Sequence, residues 1–128
     1  MTKKTILVIE DNEMNMKLMR AVLELGPYRM LEAVDAETGL ELARKDHPDL
    51  ILMDIQLPGM DGLRATRIIK SDQELRTIPV FAITGFAMEA DRENAMELGF
   101  ADYIVKPFKV KTLLEKIARH FGDGSSDH

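Results

Sequence analysis

Cysteine is absent from the 128 residues, which excludes a disulfide framework and a thiolate zinc site and is compatible with a reducing compartment. No apolar run approaches the length of a membrane span. The one near the N-terminus, Thr5 to Ile9, is too short for a signal-peptide core and is cut off by the acids Glu10 and Asp11. The expectation is a cytoplasmic protein with no membrane insertion. A P-loop is missing as well. The three histidines, His47, His120 and His128, lack metal-ligand spacing and read as surface residues. A formal net charge of -5 argues against direct nucleic-acid binding. Lys106, Lys109, Lys111, Lys116 and Arg119 make the last helix locally basic, which is read as a solvated face whose cations suit a helix C-terminus. There is no internal repeat and no sign of a linker. At this length a single core can bury roughly two thirds of the unfolded surface.

What the chain does contain is four short apolar runs, each ending in a polar residue suited to phosphate and metal chemistry. Ile6-Leu7-Val8-Ile9 runs into Glu10-Asp11, Leu50-Ile51-Leu52-Met53 into Asp54, Val80-Phe81-Ala82-Ile83 into Thr84, and Tyr103-Ile104-Val105 into Lys106. Continuous apolar runs of this length read as strands buried on both faces, as in a parallel sheet. Ligands of open parallel sheets bind at the carboxyl ends of the strands. Three carboxylates, a hydroxyl and an ammonium are therefore expected to converge on one crevice, an inventory that suits a magnesium ion and a phosphoryl group together.

Strand and helix patterns alternate five times along the chain, implying right-handed crossovers and helices on both faces of the sheet. The first helix is expected from about Glu13 to Leu25, with Leu18, Met19, Val22 and Leu23 as its apolar arc and Gly26-Pro27 as its stop. A weaker strand follows near Tyr28 to Ala33. Asp35 is the expected N-cap of a helix through Leu40, Leu42 and Ala43 that ends at His47-Pro48. Asp61 is the expected cap of a third helix carrying Ile68 and Ile69 and fading at Ser71-Asp72. A fourth is expected over Ala87 to Leu98 with Gly99 as its stop, and a fifth over Val110 to Phe121 with Leu113, Leu114, Ile117 and Phe121 at core spacing. The nine methionines read mostly as flexible core filler. The small, polar tail, residues 122–128, is expected to be disordered.

In order and spacing, Glu10-Asp11-Asn12, the stretch from Leu52 to Gly62 containing Asp54 and Pro58, then Thr84, Tyr103 and Lys106-Pro107-Phe108 resemble the receiver domains of two-component response regulators. The resemblance covers Ile6 to Phe121. Met1 to Lys4, Glu10 to Leu18, Asp49 to Pro58 and Phe86-Ala87-Met88 are also similar to a stand-alone cell-cycle regulator of that family. The implied fold is α/β and flavodoxin-like: a doubly wound, five-stranded parallel sheet in the order 2-1-3-4-5 flanked by five helices, with the receiver domain over residues 1–121. The implied activity is that of a phospho-accepting switch in a phosphorelay, which catalyses only its own phosphorylation and dephosphorylation. By this resemblance Asp54 accepts a phosphoryl group from a phosphohistidine. Asp11, Asp54 and the backbone carbonyl of Gln56 bind Mg2+, Glu10 acts through water, and Lys106 and Thr84 contact phosphoryl oxygens. Tyr103 is the aromatic that swings inward as Thr84 moves toward phosphate, and Lys106-Pro107 carries a cis peptide bond. Gly85 and Phe86 would shape access of the hydrolytic water.

Taken one at a time, these residues have plainer readings. Glu10 and Asp11 can simply favour the next helix's N-terminus, Asp54 and Lys106 can be turn residues, Thr84 a strand-end hydroxyl, and Tyr103 half-buried core. The implied partners are a histidine kinase or histidine phosphotransferase, docking around Met14, Asn15, Pro107 and Phe108, and a downstream protein. The latter would meet a face built from helix 4, strand 5 and helix 5, including Met88, Glu89, Tyr103 and Lys109. For Met14 and Phe108 a place in the core is the alternative. A monomer is expected. Three other assignments share some of these features. One is a receiver domain excised from a hybrid histidine kinase. A magnesium-dependent aspartyl phosphatase of the haloacid dehalogenase type needs a second acid where Gln56 stands. A flavodoxin-like cofactor binder needs a hydroxyl- or glycine-rich loop where Glu10-Asp11 stands.

Overall fold

The strand register accounts for most of the architecture. In the computed structural model, which describes residues 3–55, 62–85, 96–97 and 99–122, five strands form one sheet: β1 (Lys4–Ile9), β2 (Tyr28–Ala33), β3 (Leu50–Asp54), β4 (Val80–Thr84) and β5 (Asp102–Val105). Every pairing is parallel and the order is β2-β1-β3-β4-β5, so the chain reverses its direction of winding next to β1. This is the flavodoxin-like order. Four helices are present among the described residues: α1 (Glu13–Glu24), α2 (Ala36–Asp46), α3 (Gly62–Ser71) and α4 (Val110–Phe121). The expected set of five is thus not matched. The helix expected over Ala87 to Leu98 lies outside the described residues apart from the helical Met96 and Glu97. The expected Asp61 cap and the tail after Gly122 also lie outside them.

Strand alternation divides the apolar runs between two cores. Leu7, Ile9, Ile51, Met53, Val80 and Ala82 face Leu40 and Ala43 of α2 and Ala65 and Ile69 of α3. Ile6, Val8, Leu50, Leu52, Phe81 and Ile83 face Met19, Val22 and Leu23 of α1 and Leu113 and Ile117 of α4. β1, β3 and β4 are sandwiched between these layers, which is why their sequences are continuous rather than alternating. Each Val, Leu, Ile, Phe or Met side chain among them, wholly removed from water, contributes about 1.5–3 kcal/mol.

Local chemistry sets the helix ends. Asn12 Oδ1 accepts the Asn15 N–H at 2.9 Å, capping α1. Asp35 Oδ1 accepts the Thr38 N–H at 2.8 Å, and that backbone bond holds its carboxyl below the usual range. α2 closes at His47, whose φ of 50° lies in the left-handed region. The buried arc of α1 is Met16, Met19, Val22 and Leu23. Leu18, expected in that arc, is 39% exposed. Its place is taken by Met16, three residues before Met19, so the buried stripe is rotated by part of a turn. The methionines divide likewise: Met16, Met19 and Met53 are core, whereas Met14 and Met96 are exposed. His120 is exposed, yet its ring lies edge-on to Phe81, with centroids 5.3 Å apart.

Candidate phosphoacceptor and metal site

The register that aligns Ile9 with Met53 and Asp54 with Ile83 brings the ends of β1, β3 and β4 level. Backbone bonds carry the ladder past the strands, with Ile55 N–H to Ile83 O at 3.1 Å and Lys106 N–H to Thr84 O at 2.7 Å. Glu10, Asp54, Thr84 and Lys106 thereby meet at one edge of the sheet. Asp54 is 2% exposed and Glu10 1% exposed, whereas Asp11 is exposed. One carboxylate oxygen from each of Glu10, Asp11 and Asp54 lies within 4.8 Å of the others. Lys106 reaches in from the far side, its Nζ donating to Asp54 Oδ2 at 2.9 Å and sitting 3.5 Å from Glu10 Oε1. Thr84 is buried at the end of β4.

The electrostatics of this cluster are those of negative charge crowded faster than it is compensated. Burial raises the Glu10 carboxyl pKa. The Asn12 N–H, donated to Oε2 at 3.1 Å, pulls it down, the neighbouring Asp54 pushes it up again, and the net shift is upward. For Lys106 burial acts to lower the pKa, but the hydrogen bond and charge of Asp54, joined by Glu10, outweigh it and raise the ammonium above its ordinary value. Glu10 Oε1 is buried and takes no hydrogen bond. An orphaned carboxylate oxygen beside two further carboxylates is what a hard divalent cation satisfies, and an all-oxygen donor set suits magnesium.

Gly62 is where the helix side meets the acceptor strand. A Cβ on it would sit 2.5 Å from Ile55 Cα and 2.6 Å from the Asp54 carbonyl oxygen. The start of α3 therefore lies directly against the backbone of Asp54. On the other side, a cleft of about 350 Å3 runs beside Asp11 between α1 and β2. Its wall is braced by Arg20 and Glu32, paired through two bonds of 2.7 Å.

The remaining candidates spread around this edge. Tyr103 is half-buried on β5. The Lys106–Pro107 peptide bond is cis. Met14 is 73% exposed rather than core, Asn15 is half-buried and Pro107 is exposed. Phe108 is half-buried against the α1–α4 core, closer to the core alternative. Gln56, Pro58, Phe86, Met88 and Glu89 lie outside the described residues. Two contributors escaped the sequence reading: the steric demand for Gly62 and a contact of Lys116 with Tyr103. The glycine was visible only as a letter in a motif, and the lysine only as one of several cations on a helix.

A model of the response regulator receiver domain family matches residues 6–118. The chain belongs to that family. It is 47% identical over 120 residues to the polar-differentiation response regulator DivK of Brucella ovis, an alignment covering 94% of this chain and 98% of the relative. The DivK protein of Brucella anthropi is 46% identical over the same shares. Among solved structures, it is similar to the receiver domain of a Pseudomonas aeruginosa sensor histidine kinase, which holds a magnesium ion in its active-site cleft. That pair shares 36% identity and a TM-score of 0.85, over 94% of this chain and 99% of the other. A chemotaxis response regulator of Vibrio cholerae, at 23% identity, shares the fold with a TM-score of 0.86 over 92% and 98% of the chains. The chain is thus a DivK-like receiver domain of two-component signalling, a class of signalling switch rather than of conventional enzyme. No helix among the described residues is long and apolar enough to cross a membrane.

Proposed function

We propose that the protein works as a phosphorelay switch that takes a phosphoryl group from a phosphohistidine onto Asp54 with magnesium, and relays the state through protein partners. The observation that carries this reading is the buried Asp54 carboxylate, hydrogen-bonded to Lys106 Nζ at 2.9 Å and clustered within 4.8 Å of the Glu10 and Asp11 oxygens. An Asp54 oxygen attacks phosphorus in line, the P–O bond forms as the P–N bond to the imidazole breaks, and the departing nitrogen takes up a proton. A carboxylate is a weak nucleophile, so the barrier falls through positioning and charge neutralisation. The Lys106 ammonium supplies one fixed positive charge to the phosphoryl oxygens. Thr84, buried at the neighbouring strand end, supplies a hydroxyl to another and thereby couples phosphate to the half-buried Tyr103. Asp11, Asp54 and the Gln56 backbone carbonyl would hold magnesium directly, and Glu10 through water. The bound ion would turn the mutual repulsion of the carboxylates into attraction and offset charge on the phosphoryl group.

Output through partners is the reading the DivK likeness supports, with the kinase or phosphotransferase meeting the surface near Met14, Asn15, Pro107 and Phe108. The likeness to a sensor kinase's receiver favours one second reading, a relay step inside a larger kinase, which uses the same site chemistry. Mass spectrometry after treatment with acetyl phosphate and magnesium tests the assignment. One added phosphoryl group is expected, and none on Asp54→Asn. Equal labelling of the two proteins refutes it, and turnover of many substrate equivalents would favour a phosphatase instead.

A further inference from the structure

Among the described residues β5 ends the sheet, so its outer backbone edge has no strand to pair with. The cation that covers this edge is Lys116, from the middle of α4. Its Nζ donates to the Tyr103 backbone carbonyl at 3.1 Å and to Asp102 Oδ1 at 3.1 Å. The same ammonium lies 5.2 Å from the centroid of the Tyr103 ring. Asp102 Oδ1 also accepts the Tyr103 N–H at 2.8 Å. The lysine is therefore anchored to the backbone of the residue whose side chain it overlies. The ring itself packs partly on the α2–α3 core and partly lines a shallow surface cleft of about 260 Å3, shared with Pro107, Phe108, Thr112 and Lys116.

Tyr103 stands opposite Ala82 in the register, and Thr84 is two residues further along β4 on the same face. The β4 side chain opposite Tyr103 on that face is a methyl group, Ala82. Lys116 is held back, because its hydrogen bonds to the Tyr103 backbone carbonyl and to Asp102 Oδ1 fix the ammonium to β5. The attraction between cation and ring is consequently made in one ring position and lost in the other. A contact present in a single state biases the equilibrium by its whole strength.

We propose that Lys116 is a positioning residue that holds the Tyr103 ring at the sheet edge and so sets how much phosphorylation is needed to throw the switch. This rests on the reading of Tyr103 as the mobile aromatic under Proposed function. Blunting a sheet edge, or pairing with Asp102, would account for the two hydrogen bonds but not for a ring bias. A cation over a half-exposed phenol ring shifts the ratio of ring positions by about two- to fivefold.

The test uses full-length protein labelled with 3-fluorotyrosine and 19F NMR. The chain has two tyrosines, and Tyr28→Phe leaves Tyr103 as the sole reporter. Wild type, Lys116→Met and Lys116→Arg in that background are compared with and without magnesium plus beryllofluoride, a phosphoryl mimic. The wild-type resonance should move on adding beryllofluoride. Unmodified Lys116→Met should lie part-way along that displacement, with the inward to edge ratio raised about two- to fivefold. Lys116→Arg should return it, and all three should coincide once saturated. Asp102→Asn, which keeps the ammonium on the Tyr103 carbonyl, should leave the resonance near the wild-type position. If the wild-type resonance responds but Lys116→Met matches it before saturation, Lys116 does not bias the ring. If Asp102→Asn shifts it as far as Lys116→Met, the ion pair and not the ring contact is responsible, and the proposal is equally overturned. A wild-type resonance indifferent to beryllofluoride would instead remove the mobile-ring reading beneath it. Should Lys116→Met melt out of the usable range, Lys116→Gln provides the same comparison.

Discussion

Replacing Glu10 with glutamine should make the metal-free protein more stable, although it removes half of a close ion pair. The carboxylate gains about 4.7 kcal/mol from Lys106 at 3.5 Å and loses at least about 3.5 kcal/mol to Asp54 within 4.8 Å, both at an effective dielectric constant of about 20. The surplus of about 1 kcal/mol is smaller than the several kcal/mol it takes to strip water from a buried carboxylate. The Asn12 N–H bond to the side chain survives, because an amide oxygen accepts it too. Its loss of charge assistance removes about 1 kcal/mol from the gain. The net expectation is about 1–2 kcal/mol of stabilisation. With an unfolding entropy near 2.1 cal/mol/K per residue, that is a rise in Tm of roughly 4–8 °C for this length. Differential scanning calorimetry in EDTA measures it. The pH dependence supplies a second reading. Because the folded pKa of Glu10 is raised, its contribution to stability is fully present below the ordinary glutamate value of about 4.3 and is lost as pH rises through the folded value. Wild type should therefore recover on mild acidification what Glu10→Gln already has at neutral pH, and the two melting curves should converge. A lower Tm for Glu10→Gln in EDTA at pH 7 would mean that the Lys106 pair outweighs burial and repulsion, and the account of the cluster would fail.

Three further outcomes follow from the same geometry. Asp11→Ala should weaken magnesium affinity by about tenfold or more and Glu10→Gln by less, since direct coordination is lost in the first and only outer support in the second; isothermal titration giving the reverse ranking would overturn the ligand roles. Gly62→Ala should cost about 1–2 kcal/mol and slow acetyl phosphate labelling, because its Cβ must displace the Asp54 and Ile55 backbone; an unchanged Tm would show that the contact relaxes freely. Thr84→Ala should still be phosphorylated on Asp54 but lose at least half of the phosphorylation-dependent change in partner affinity, and a full response in that variant would remove Thr84 from the coupling.

Much of the fold was legible because few arrangements suit its apolar runs. Ile6 to Ile9, Leu50 to Met53 and Val80 to Ile83 are apolar at successive positions, and only a strand covered on both faces buries all of them. The crevice followed from the rule that ligands of parallel sheets bind at the carboxyl ends of the strands, with Glu10, Asp54 and Thr84 the first polar residues past the apolar runs. What stayed illegible depends on which neighbour arrives. Leu18 and Met16 both fit a helical stripe, and the packing of α1 against β1, not periodicity, decides between them. The need for Gly62 arises from the backbone of Asp54 and Ile55, residues that lie well before it in the sequence.

The metal question turns on the same distinction between letters and neighbours. Three acids after strands announce an oxygen-rich crevice, but acids at such positions also serve helix N-termini. What separates the two readings is burial. An acid favouring a helix N-terminus gains from solvent and from backbone N–H groups, as Asp35 does with the Thr38 N–H. Glu10 is instead 1% exposed with one oxygen lacking any hydrogen bond. Its closest compensating charge, Lys106, is shared with Asp54. Among the described residues one ammonium faces two buried carboxylates and a third at the rim, a local excess of negative charge at the proposed site of phosphorylation. A group bearing further negative charge is admitted only if a cation enters with it, and strict dependence of Asp54 labelling on magnesium is the corresponding expectation.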